Sequence, residues 1–152
     1  MKNILPSSLF ALLCLTSFIA CKDNAKSSIN PNGDSELALL MREMHEDGLR
    51  TKQQILDGEE PEIKVKYHQL HTANATEPEK AASAAYKSFA AYYEATVKSL
   101  LESNDEKRAE QYQTMIDACM SCHQELCPGP MRKIKRLYLS EKEMASLNPI
   151  QE

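Results

Sequence analysis

Apolar positions recur at helical spacing in three stretches of the chain, separated by polar segments rich in Ser, Asn, Gly or Pro. In the first, Leu37, Leu40, Met41, Met44, Gly48 and Ile55 form a stripe with a polar interruption at Thr51 and Lys52. Asp34 or Ser35 can cap its start, Gly58 is placed to end it, and Pro61 follows. The second opens at Thr76-Glu77-Pro78-Glu79, where Thr and Glu three apart and a first-turn proline predict a helix running to about Glu102. Its stripe, Ala82, Tyr86, Phe89, Tyr93, Val97 and Leu100, reads as core, with the tyrosine hydroxyls reaching outward. The third starts at Asn104 or Asp105 and stops at Pro128-Gly129-Pro130. Ala109, Tyr112, Ile116, Cys119, His123 and Leu126 share its inner face. Between the first two stretches, Ile63, Val65 and Tyr67 alternate like a strand, whereas Ile63, Tyr67, Leu70 and His71 fit a short helix. The helical surroundings favour a short second helix and a loop. A last short helix is expected from Ser140, with Glu143 completing a capping box. The pattern predicts an all-α chain.

The amino terminus follows another logic. Lys2, an apolar run from Leu9 to Ala20 and then Cys21 have the order of a secretory signal peptide spanning residues 1–20. The run is shorter than the roughly 20 apolar residues that cross a bilayer. Phe18-Ile19-Ala20-Cys21 resembles a bacterial lipobox, which would make Cys21 the lipidated first residue and tether the protein to a membrane of the cell envelope, at its periplasmic or outer-membrane face. Phe18 stands where that pattern usually has Leu, so ordinary cleavage to a soluble secreted protein is the alternative. Residues 21–34 read as a flexible polar tether, residues 35–138 as a helical domain and residues 139–152 as a tail. The formal charge is −4, and loss of residues 1–20 removes Lys2 and no acid, giving −5. Such a balance does not suggest nucleic-acid binding and leaves room for a partner with a basic docking face.

The chemistry gathers in Cys119-Met120-Ser121-Cys122-His123. Two cysteines three apart followed at once by histidine form the attachment signature of a c-type haem. Positions i, i+3 and i+4 share one side of a helix, so two thiols can reach one edge of a macrocycle while the imidazole sits under its metal. Haem is attached to such chains outside the bacterial inner membrane, which agrees with an export signal. The other readings are a structural pair or disulfide between Cys119 and Cys122, a redox pair, or a zinc site using Cys119, Cys122, Cys127 and a histidine. Cys127 is left over, as a buried small residue at a helix end or as a link between two copies in a homodimer. Met41 is a core residue or a second axial ligand, with Met44 the runner-up one turn on. Gly48 could admit a haem or a neighbouring helix closely. His68 and His71 are ligands, pocket residues or simply solvated. Arg132, Lys133, Lys135 and Arg136 form a solvated turn, a counter-charge for haem propionates or a docking patch.

Around the haem motif, the chain from Leu37 to Cys127 resembles the class II cytochromes c, the cytochrome c-prime family with its methionine-ligated, low-spin relatives. Leu40-Met41-Arg42 is similar to the Leu-Met-Lys of the methionine-ligated members, and Gly58-Glu59-Glu60-Pro61 to their Gly-x-x-Pro turn. The resemblance implies an antiparallel four-helix bundle, its second helix short, with one covalent haem c on the last long helix. Cys119 and Cys122 would hold it, and His123 and Met41 would ligate the iron. It implies a one-electron carrier that exchanges electrons with redox partner proteins and is not an enzyme. The alternative within the family is a five-coordinate haem protein that binds or senses small gases, with Met41 in the core. The chain departs from the family pattern after His123, where Gln124-Glu125-Leu126-Cys127 stands and the first basic residue is Arg132.

Overall fold

The computed structural model describes residues 33–147. The expected signal peptide with Cys14, the lipidation expected at Cys21 and the expected tether up to residue 32 lie outside them. Among the described residues there is no strand, and no helix is long and apolar enough to cross a membrane. The architecture is an all-helical bundle built on three long helices, α1 (Glu36–Leu56), α3 (Ala84–Leu101) and α4 (Asp105–Leu126), with three short ones, α2 (Pro78–Ala81), α5 (Met131–Ile134) and α6 (Glu141–Leu147).

Helix α1 starts where Ser35 Oγ accepts a hydrogen bond from the Ala38 amide at 3.2 Å. It ends just before Gly58, which takes a φ of +73° that only glycine adopts without strain. The polar interruption expected at Thr51 is instead a core position. Thr51 is fully buried, and its hydroxyl donates to the Asp47 carbonyl at 2.9 Å, so its polar atom is satisfied inside the helix. Lys52 also turns inward. Its ammonium donates to the Tyr138 carbonyl at 2.7 Å and pairs with Glu143 at 3.1 Å.

The place of the short second helix is taken by one 3-10 turn, Tyr67–His71, with Leu70 buried beneath it. The long helix expected from Thr76 is divided. Helix α2 ends at Ala81, and Ser83 caps a new helix, its Oγ accepting from the Tyr86 amide at 3.1 Å. Thr76 does not form the expected capping box; its hydroxyl donates to Ser35 Oγ at 3.0 Å. Ala82 falls in the break and is exposed. The tyrosine hydroxyls do not all reach outward either. Tyr86 donates to the Leu70 carbonyl at 2.8 Å and fastens the 3-10 turn to α3.

Asn104 caps α4, its side chain accepting from the Lys107 amide. The short link from α3 lays α4 along it, and Val97, Leu100, Tyr112, Met115 and Ile116 between them are buried almost completely. The chain beyond α5 is part of this core, since Leu137 and Leu139 are buried. Tyr112 ties it down by donating to both the Gly48 and Leu137 carbonyls, at 3.1 and 2.9 Å. A Cβ on Gly48 would sit 3.4 Å from two Leu137 methyls, so what this glycine admits closely is Leu137. The capping box at α6 forms as expected, Ser140 N donating to Glu143 at 2.7 Å and Glu143 N to Ser140 Oγ at 3.3 Å.

Candidate functional site

The last turns of α4 carry Cys119, Cys122 and His123 on one side of the helix, all partly buried. They open into a cleft of about 370 Å³, a volume that includes its solvent-filled mouth. The wall is otherwise apolar. Met41 and Met44 line it from α1, Leu70 from the 3-10 turn, and Tyr86, Phe89 and Tyr93 from α3. One cleft therefore brings together the two thiols, the imidazole and both methionine thioethers singled out in the sequence.

Electrostatics set the state of these groups. Burial, reinforced by Cys122, pushes the Cys119 thiol up to about 12. Burial, reinforced by Cys127, pushes Cys122 up to about 11. Both remain S–H at neutral pH. That is the opposite of the lowered values of redox-active cysteine pairs. Cys119, Cys122 and Cys127 are all free, so no disulfide joins the first two. Among the described residues no three His, Cys, Asp or Glu groups converge as a metal site.

His123 is oriented by its own helix end. Its Nδ1 lies 2.9 Å from the Cys127 carbonyl. A carbonyl can only accept, so Nδ1 donates in this contact, which leaves Nε2 as the ring nitrogen that can offer a lone pair to a ligand bond. The Cys127 amide donates back to the His123 carbonyl at 3.1 Å. Cys127 itself is exposed, which corrects the expectation of a buried residue at the helix end; with Pro128 following, the chain turns away from the core there.

His68 and His71 are not brought to the cleft. Both imidazoles lie against Glu94 of α3, at 2.9 and 3.3 Å. Burial pulls the Glu94 carboxyl upward, but the hydrogen bonds to the two histidines outweigh it and leave the group lowered. The fourth histidine, His45, has Nε2 3.3 Å from the Lys133 carbonyl.

Two features of the cleft were not legible from spacing. Phe89, Tyr86 and Tyr93 read as core, yet they also form the α3 wall. Tyr93 is 93% buried and its ring meets Tyr67 edge-on; its hydroxyl makes no hydrogen bond to another described residue and is not among the buried polar atoms left without a partner. Burial pushes that phenol well above its usual value, so it stays a donor. No protein-family model matches the chain, and neither the curated proteins nor the solved structures yield a match.

Proposed function

We propose that this chain is a mono-haem c-type cytochrome, an exported and membrane-tethered one-electron carrier similar to the class II cytochromes c. The observation that carries the proposal is the convergence of Cys119, Cys122, His123, Met41 and Met44 on one apolar cleft. The donor set fits the group: two neutral thiols and one oriented imidazole on a single helix, faced by thioethers from another. A haem bound there supplies reversible one-electron chemistry. Cys119 and Cys122 would hold it covalently, and His123 and Met41 would ligate its iron. The aromatic side chains of α3 and the thioethers of α1 give the cleft a largely apolar wall. Cys21 would carry the lipid.

One observation favours a second reading, a five-coordinate gas-binding protein: the unpartnered Tyr93 hydroxyl could donate to a small ligand on an open iron position.

Mass spectrometry and absorption spectroscopy of exported protein test both. We expect the chain to carry the mass of one covalently added haem and a low-spin spectrum with a methionine-to-iron charge-transfer band. Met41→Ala should abolish that band and Met44→Ala should leave it. The reverse result moves the ligand to Met44, and a high-spin spectrum that responds to carbon monoxide selects the gas-binding reading. A chain of unmodified mass with free thiols ends the proposal.

A further inference from the structure

The mature chain is acidic, but one segment is not. Residues 128–140 contain four bases and no acid. Within it Ile134 and Leu137 are buried, which turns Arg132, Lys133, Lys135 and Arg136 outward, and all four are exposed. Although acids outnumber bases over the chain, none of these four forms an ion pair among the described residues. The patch is tied to the cleft-bearing helices α1 and α4 at two points. The Lys133 carbonyl meets His45, which follows the cleft residue Met44 in the α1 sequence. At the other point, Pro128-Gly129-Pro130 joins the patch to Cys127, whose carbonyl orients His123. The two carboxylates of one haem could neutralise two cations at most, so at least two would stay free. Unpaired like charges held together by a fixed backbone raise the local concentration of anions and steer their approach, and such steering changes association rates by roughly 10- to 1,000-fold.

We propose that Arg132, Lys133, Lys135 and Arg136 form the face on which an acidic redox protein docks beside the cleft. The inference rests on the haem reading above. It gives the partner a sign opposite to the one the net charge suggests.

Stopped-flow oxidation of the reduced, haem-loaded protein by hexacyanoferrate(III) tests it. One electron leaves the protein and hexacyanoferrate(II) is formed. For a protein of net negative charge, bulk repulsion predicts a rate that rises with ionic strength. Local steering predicts a rate that falls, by about tenfold between low and physiological salt. Polyglutamate, as a soluble acidic chain, should slow the reaction at low salt. Replacing the four residues by Glu should reverse the salt dependence and remove the polyglutamate effect, while circular dichroism melting stays unchanged. A wild-type rate that rises with salt, or no effect of polyglutamate, overturns the proposal without reference to any variant. So does patch-dependent binding to phosphatidylglycerol vesicles with no change in electron exchange, which would assign the face to a membrane surface. Protein that carries no haem exchanges no electrons at any salt, and then the earlier reading falls and takes this one with it.

Discussion

Tyr112 and Tyr93 are both buried phenols, and the structure uses them oppositely. Tyr112 donates to two carbonyls, one on α1 and one beyond α5. Tyr112→Phe leaves both acceptors without this donor, and urea unfolding should show a loss of about 1–3 kcal/mol. Tyr93 gives up no protein hydrogen bond when its hydroxyl is removed. Tyr93→Phe should therefore leave urea stability unchanged within error, and any change in the absorption spectrum of the loaded protein then reports on the cleft alone. The same pair shows where sequence reading stops. Periodicity placed Tyr112 and Tyr93 on inward faces correctly. It could not say where a hydroxyl would find a partner, because those partners are carbonyls 25 and 64 residues away in the chain for Tyr112.

At the scale of elements, local signals succeeded where they acted on their own neighbours. Ser35, Gly58, Asn104 and the Ser140–Glu143 pair begin or end helices as their chemistry requires. They failed at Thr76, whose hydroxyl was taken by Ser35 from across the fold, and at Ser83, a cap hidden inside an otherwise continuous helical stripe. Ser83→Ala should cost about 1 kcal/mol in thermal or urea unfolding, the usual worth of an N-cap. Thr51 and Lys52 misled for a related reason: each is polar but satisfied by a carbonyl, and a hydropathy pattern records only polarity. Helix α6 carries a pH prediction. Hydrogen bonds from the Ser140 amide and hydroxyl, then from Lys52, bring the Glu143 carboxyl from 4.5 down to about 2. A carboxyl lowered on folding contributes stability that is complete above 4.5 and lost as the pH falls towards 2. Glu143→Gln should flatten that part of the acid-unfolding curve without altering the alkaline side.

Over the whole molecule, the helical class and the membership of the cleft wall in α1 and α4 were readable, because a 3.6-residue period fixes which residues share a face. The 3-10 turn in place of a second helix was not, since its position depends on the bond from Tyr86 to Leu70 and on Glu94 gripping two histidines. The cleft is apolar and lies between α1, the 3-10 turn, α3 and α4, so a covalently held group would contact each of these. On the haem proposal, Cys119→Ala combined with Cys122→Ala should yield protein without bound haem that melts lower by at least about 4 °C, the equivalent of roughly 1 kcal/mol in a domain of intermediate size. Calorimetry of the two forms side by side checks it.

His123 and Cys127 are hooked to each other in both directions, ring to carbonyl and amide to carbonyl. Fraying of the final turn and release of the imidazole are for that reason a single opening event. Deuterium uptake at the Cys127 amide becomes a clock for it: occupation of Nε2 by a ligand should slow the exchange there, while amides in the middle of α3 keep their pace.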